Sequence, residues 1–316
     1  MEVPFYFPEP VKQFLAVGGN SFLGLVDTTT VLKYPRTVGD ECAIASLKVE
    51  ARIFEAIGPH DRVIGFRGQK GDGLLLEYAP HGSLDRYLTE NIATDQQRLK
   101  WSSQATEAVA VIHSKGVIHC DIKVPNLLLD AELNVKLCDF QGRLLGSNGQ
   151  ILSDGGSTEN PKFFMPRDDP TYADIMTDIF ALGSTIYHIV EGHEPFPELD
   201  SFSDEDEITT NFSSGQFPQP KCTSVKEVIH NCWGAKYSST NEVLLDLQQL
   251  RETEEQWEMT GWHRTAQSRR PNGMQHVPCV LFNERTPHSS IIGPDTSSIS
   301  STPPRIDTSD EAPGVC

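Results

Sequence analysis

The sequence predicts an α+β fold in two lobes, a small antiparallel sheet with one main helix followed by a larger, mostly helical part. Three observations carry that prediction. Up to about residue 79, short apolar runs alternate with glycine-containing turns, as hairpin-connected strands require. Beyond residue 95 the apolar residues recur at helical spacing over long stretches. A chain of 316 residues that is 38% hydrophobic can build one large domain or two lobes around a shared cleft. The expected division is a small lobe over 1–79, a large lobe over 80–262 and a disordered Ser/Thr/Pro-rich tail over 263–316.

In chain order, Lys12 to Val17 reads as a strand, Gly18 to Ser21 as a turn and Phe22 to Val26 as the returning strand. Asp27 to Thr30 turns the chain into a third strand, T-V-L-K-Y, which carries Lys33. Leu47, Glu50, Ala51 and Phe54 recur at helical spacing, so the Glu50 carboxylate falls on the apolar side of a helix that ends at Gly58-Pro59. A carboxylate there needs a cation, and Lys33 is the expected partner. Val63 to Phe66 and Leu74 to Tyr78 read as two further strands around G-Q-K-G-D-G. Leu99, Ala105, Ala108, Val109 and Ile112 mark a core helix over 95–114, capped by Gly116, and Ile175 to Ile189 carries a second apolar stripe. Gln141 to Arg167 is rich in glycine, serine and asparagine and reads as a long loop, of the kind that is either functional or disordered. The acidic run Glu198 to Glu207 reads as a solvated loop, and Asn241 to Arg251 as a last amphipathic helix.

Composition narrows the partners. The formal net charge of -18 lies entirely before residue 264, because five arginines and five acids balance beyond it. Nucleic acid is therefore excluded as the main partner, and a basic protein substrate fits better. Seven cysteines without a C-x-x-C pair read as free thiols in a reducing compartment. No apolar run approaches the roughly 18 residues of a membrane span, so no membrane partner is expected. The first ten residues hold three prolines and no lysine or arginine, unlike a signal peptide. The expected location is cytoplasmic, with the nucleus left open, as is the oligomeric state.

The chemistry concentrates at H-C-D-I-K-V-P-N, His119 to Asn126, followed by L-C-D-F, Leu137 to Phe140. Pro125 is expected to hold Asp121, Lys123 and Asn126 on a loop. The run L-L-L-D-A-E-L-N-V-K-L reads as two short strands with a turn near Asp130, which would bring Asp139 back beside Asn126. A carboxylate to orient a hydroxyl, a cation for developing phosphate charge, and an amide with a second carboxylate as hard magnesium ligands are what phosphoryl transfer requires.

These motifs resemble the catalytic loop and the start of the D-F-G motif of eukaryotic protein kinases. The resemblance implies a bilobal protein-kinase-like fold over residues 12 to 252, ATP and Mg2+ as cofactors, and transfer of the γ-phosphoryl group to Ser or Thr hydroxyls of proteins. By it, Asp121 orients the hydroxyl, Lys123 stabilises the transferring phosphate, and Asn126 and Asp139 hold magnesium. Lys33, paired with Glu50, positions the ATP phosphates. The phrase L-L-L-E-Y-A-P-H-G-S-L-D-R-Y-L is similar to the kinase hinge, which makes Leu76 the gatekeeper and assigns adenine to backbone groups of Glu77 and Ala79. With Phe22 as the tip aromatic, the glycine turn over the phosphates would read Gly18, Asn20 and Leu23. Asp178 matches the aspartate that holds the catalytic-loop backbone. V-L-K-Y-P and L-C-D-F-Q-G resemble a divergent group of small fungal kinases.

Several positions depart from the family pattern. Cys120 replaces the arginine before the catalytic aspartate, which speaks against activation by loop phosphorylation, and Gln141 replaces the D-F-G glycine. The A-P-E motif reads Met165, Pro166 and Arg167, and Thr240 stands where the partner arginine of its glutamate would be. With both partners changed together, Arg167 is expected to turn outward. A nucleotide-binding pseudokinase or scaffold without turnover, and a small-molecule phosphotransferase of the same fold, are the competing readings.

Overall fold

The computed structural model describes residues 6–222 and 224–260, with side chains to residue 253. The tail expected over 263–316 lies outside the described residues, which all belong to one compact unit.

The chain opens with β1 (Gln13–Val17), β2 (Ser21–Asp27) and β3 (Thr30–Pro35), joined by the tight turns expected at Gly18 to Ser21 and Asp27 to Thr30. Helix α1 (Glu41–Ile57) begins where the Asp40 side chain accepts the Ala43 amide and ends at Gly58, whose positive φ of 73° suits a residue without a side chain. Strands β4 (Phe66–Lys70) and β5 (Gly73–Glu77) complete an antiparallel sheet of order β1-β2-β3-β5-β4. The apolar run Val63 to Phe66 is not the strand expected there. Val63 and Ile64 leave the sheet to meet Leu137, the Ile64 amide donating to the Leu137 carbonyl at 2.9 Å. The polar F-R-G-Q-K that follows makes β4, which an edge strand permits because one of its sides stays solvated.

The larger lobe is built on α2 (Leu84–Glu90) and α3 (Asp95–Ser114), the latter started by Thr94 and closed by Gly116 at φ 73°. Then follow β6 (Val117–Ile118), the hairpin β7 (Leu127–Leu129) and β8 (Val135–Leu137), and a second hairpin, β9 (Arg143–Leu145) and β10 (Ile151–Asp154). The second hairpin forms a three-stranded sheet with β6, so the first half of the segment expected as a loop is ordered strand. Helix α4 (Ile175–Glu191) starts in a reciprocal capping box of Asp174 and Thr177, ends at the left-handed Gly192 and is buried along nearly its whole length. The acidic run is a loop only in part, because α5 (Glu205–Ser213) begins inside it. Helices α6 (Lys226–Trp233) and α7 (Thr240–Thr260) finish the fold, α7 running on past the expected end at Arg251 and packing along α3.

One apolar core spans both lobes. Leu47 and Phe54 of α1, Leu137 of β8, Phe140, and Ile179 and Leu182 of α4 belong to it. Cys120, Cys138 and Cys232 are free thiols, whereas Cys42 and Cys222 are disulfide-bonded, which corrects the expectation of free thiols throughout. An odd cysteine count leaves room for pairs. Among the described residues no helix is long and apolar enough to cross a membrane.

Candidate active site

Two clusters face each other across the lobes. In the first, Lys33 on β3 is 6% exposed and Glu50 on α1 is fully buried. The Lys33 Nζ donates to Glu50 Oε2 at 2.7 Å and to Asp139 Oδ1 at 2.6 Å. The β3 register places Lys33 opposite Leu23 and Leu74, and the apolar stripe of α1 turns Glu50 toward it. Burial pulls the Lys33 ammonium down, but the two carboxylates override it and hold the group well above its usual range. For Asp139 burial pushes up and Lys33 overrides, leaving the carboxyl below the usual range, whereas burial keeps Glu50 above its own despite Lys33.

In the second cluster Asp121 meets Lys123 and Asn126. Lys123 Nζ lies 2.8 Å from Asp121 Oδ2, and Asn126 Nδ2 donates to the Asp121 carbonyl at 2.9 Å and to Oδ2 at 3.0 Å. Pro125 does not exclude helix here. Val124 to Asn126 makes one 3-10 turn with the proline in its first positions, where a missing amide is harmless. That turn feeds β7, and the Leu127 to Leu137 pairing returns the chain so that the Cys138 amide donates to the Asn126 carbonyl at 3.0 Å. Asp139 is thereby delivered beside Asn126. Burial raises the Asp121 carboxyl above its usual range, opposed chiefly by Lys123.

Asp178 supports this loop from beneath. Its Oδ2 accepts the His119 amide at 2.7 Å and its Oδ1 the Cys120 amide at 2.9 Å. Cys120 and Asp139 both have positive φ, 62° and 66°, a conformation that costs a non-glycine residue about 1–3 kcal/mol and persists only where the surroundings enforce it. The His119 ring enforces part of it, with Nε2 at 3.0 Å from the Cys138 carbonyl and the ring in an edge-to-face contact with Phe140, which also packs on Phe54 of α1. Gln141 is fixed as well, its carbonyl accepting the Ser157 amide at 3.1 Å.

Not every expected site residue joins these clusters. Gly18 and Asn20 form the β1–β2 turn, where the Gly18 amide donates to the Ser21 carbonyl and the Asn20 carbonyl accepts from Arg36. Phe22 is no tip aromatic. It is 2% exposed, lies opposite Val17 and Tyr34 in the sheet, and packs against Phe14 and Tyr34. The apolar layer over the outer face of the sheet outcompetes a solvent-facing position. At the other edge of the cleft the Glu77 amide donates to the Gly65 carbonyl at 2.7 Å, and its carboxylate accepts from Gly65 and Lys136. The Ala79 carbonyl accepts from Gly82 at 3.1 Å, which leaves its amide as the group suited to a ligand.

Arg167 turns inward, contrary to expectation. Its Nη2 donates to Glu159 Oε2 at 2.9 Å, with side-chain exposures of 8% and 2%, and its guanidinium stacks 3.9 Å from the Phe164 ring centroid. Glu159 supplies the buried counter-charge that the outward orientation assumed to be missing. No sequence spacing announced it, because the two residues meet across irregular backbone. His113, on the core face of α3, was likewise not singled out, and its Nε2 lies 2.9 Å from Asp178 Oδ2.

A protein kinase domain family model matches residues 31–240. The chain belongs to the protein kinase family. It is 31% identical over 164 residues to a probable serine/threonine-protein kinase of Dictyostelium discoideum, covering 50% of this chain and 18% of that protein. CBL-interacting serine/threonine-protein kinase 8 of Arabidopsis thaliana is 27% identical over 58% of this chain and 41% of its own length. Mitogen-activated protein kinase kinase kinase 17 of the same plant is 28% identical over 57% of this chain and 51% of its own. The chain thus spans about half or less of the length of these relatives.

Magnesium, which the kinase family uses, finds a fitting donor pair. Lys33 takes Asp139 Oδ1 and leaves Oδ2, on a side chain 41% exposed. The Asn126 Nδ2 is committed to Asp121, which leaves its amide oxygen for a cation. Among the described residues no group of three or more His, Cys, Asp or Glu could hold a metal ion by itself. One carboxylate and one amide oxygen match an ion that shares its remaining ligands with phosphate and water.

Proposed function

We propose that this kinase domain transfers the γ-phosphoryl group of ATP to Ser or Thr hydroxyls of protein substrates, with Mg2+ held by Asn126 and Asp139. The observation that carries the reading is the Lys33 bridge to Glu50 and Asp139, opposite the Asp121, Lys123 and Asn126 cluster. Bound magnesium supplies charge neutralisation at the phosphate oxygens. Lys33, charged and fixed from two sides, positions the phosphates, while the Glu77 carbonyl and the Ala79 amide meet adenine, with Gly18 and Asn20 over the nucleotide. Asp121 accepts or orients the substrate hydroxyl proton through the carboxylate that Lys123 and Asn126 hold in place. Lys123, its side chain 30% exposed, follows the charge onto the transferring group.

A lobe boundary at 79/80 suits this division of labour. The net charge of -18 favours a basic protein substrate, and the phrases V-L-K-Y-P and L-C-D-F-Q-G support a fungal-like subgroup. The intact ion pairs weigh against a pseudokinase, whose scaffold would have no use for a buried lysine held between two carboxylates. The test is transfer of γ-labelled phosphate from Mg-ATP to a mixed protein substrate, with identification of the labelled amino acid. Phosphoserine or phosphothreonine that disappears in Asp121→Asn is expected; equal incorporation by both proteins, or none by either, would overturn the reading.

A further inference from the structure

Asp178 holds the catalytic loop through two backbone amides, yet it is itself held by a chain of side chains that reaches the start of α7. His113 Nε2 lies 2.9 Å from Asp178 Oδ2, and Thr240 Oγ1 lies 2.7 Å from His113 Nδ1. Thr240 is 3% exposed and Asp178 fully buried, so water does not compete for these bonds. We propose that Thr240 is a positioning residue of the catalytic loop, acting through His113 and Asp178 on the His119 and Cys120 amides. The proposal rests on the phosphoryl-transfer reading for its kinetic part only.

The proton bookkeeping gives the hydroxyl its role. An ionised Asp178 can only accept, so the ring nitrogen facing it, Nε2, must carry the hydrogen. In a neutral imidazole the other nitrogen, Nδ1, is then an acceptor, and the Thr240 hydroxyl is placed to donate to it. Asp178 thus sets the tautomer, as a hydrogen bond at one ring nitrogen decides the state of the other, and the hydroxyl satisfies the acceptor left at Nδ1 and holds the ring in that orientation. Without the hydroxyl Nδ1 is left as an unpaired acceptor in a dry site and the ring loses its second anchor, so the Nε2 hydrogen bond that braces Asp178 is loosened. The chain joins three helices, α7, α3 and α4, to a loop residue whose φ of 62° has to be imposed from outside.

The test compares Thr240→Val, which keeps shape and removes the hydroxyl, with Thr240→Ser, which keeps the hydroxyl. The readout that needs no catalysis is amide hydrogen exchange over residues 117–122. The proposal expects exchange there to quicken by up to about tenfold in Thr240→Val, the upper scale of one buried neutral hydrogen bond, and to stay at the wild-type rate in Thr240→Ser. Exchange in α7 beyond its first turn should be unchanged in both. Kinetically, kcat should fall about tenfold in the valine variant with KM for ATP unchanged, and serine should restore it. Unaltered exchange at 117–122, equal damage by serine, or a valine variant that loses α7 protection or fails to fold would each overturn the proposal. Wild-type protein without turnover but with the expected exchange pattern would count against phosphoryl transfer and leave the positioning role supported.

Discussion

At the residue scale Asp121 carries opposing demands. Burial raises its carboxyl above the usual range, and the Lys123 ammonium at 2.8 Å only partly offsets this. Within the window between the unfolded and the raised value, the folded state binds more proton than the unfolded one, so stability falls as pH rises through it. Two outcomes follow for Asp121→Asn. Transfer should drop by about 10² to 10⁴, the usual worth of a positioned base, and the melting temperature at pH 7 should hold or rise, with the advantage shrinking toward acid pH. In the wild type the same shift puts the acid limb of kcat/KM above the ordinary aspartate value of roughly 4. Arg167 makes the converse case. Arg167→Gln leaves Glu159 buried without its partner and should cost about 3–5 kcal/mol in chemical denaturation. Lys33, Glu50, Asp121, Asn126 and Asp139 were legible because the sequence spells them in fixed spacing or on a helical stripe. Glu159 and His113 were not, because each meets its partner across a distance that no local period encodes.

At the scale of elements, the apolar stripes of α1, α3 and α4 and the glycines that end α1 and α3 made the helices readable, while their N-caps emerged only in the structure. Asp40 and Gly58 bound α1, Thr94 and Gly116 bound α3, and Asp174 and Gly192 bound α4. Strand placement was less readable. Val63 and Ile64 had the composition of a strand but were claimed by Leu137, and the polar β4 took the edge. The β9–β10 hairpin was hidden because its turn and flanks are glycine- and asparagine-rich and Ile151 and Leu152 stay exposed. Its position depends on close backbone approach. A Cβ on Gly142 would lie 2.1 Å from the Ile118 carbonyl oxygen, and one on Gly155 would lie 2.3 Å from that of Gln141. Either glycine changed to alanine should therefore destabilise by about 1–3 kcal/mol, read as a lowered melting temperature, with Gly19→Ala a control that meets no neighbouring atom and needs no positive φ. Arg143 adds a second fastening, its Nε on Asp154 at 2.9 Å and its Nη2 on the Thr171 carbonyl at 2.7 Å. The segment is thus held by its own side chains at the place where Cys120 offers no cation for a phosphate.

For the whole molecule, the Lys33–Asp139 contact joins residues 106 apart in sequence and ties the small sheet to the catalytic hairpins. The α+β division was legible from periodicity; the way the two parts engage was not, since it rests on this bridge and on Phe54 against Phe140. Acid stability has a separate origin. His188 on α4 is lowered to about 4 by burial and by the nearby His193, Arg98 and Lys162. Between that value and the unfolded 6.5, the unfolded chain binds a proton that the folded chain refuses. Stability is therefore full above the upper value and falls with pH across the window, by about 3 kcal/mol in all. His188→Phe should flatten that slope in unfolding measured from pH 7 to 4.

The central claim is that nucleotide binding and chemistry reside in two separable clusters, and paired assays on two variants test it most directly. Mg-ATP thermal stabilisation and γ-phosphoryl transfer are measured on Asp121→Asn and on Asp139→Asn. The structure predicts that Asp121→Asn keeps the stabilisation and loses transfer, while Asp139→Asn loses both. Full transfer by Asp121→Asn, or undiminished Mg-ATP stabilisation of an active Asp139→Asn, would contradict it.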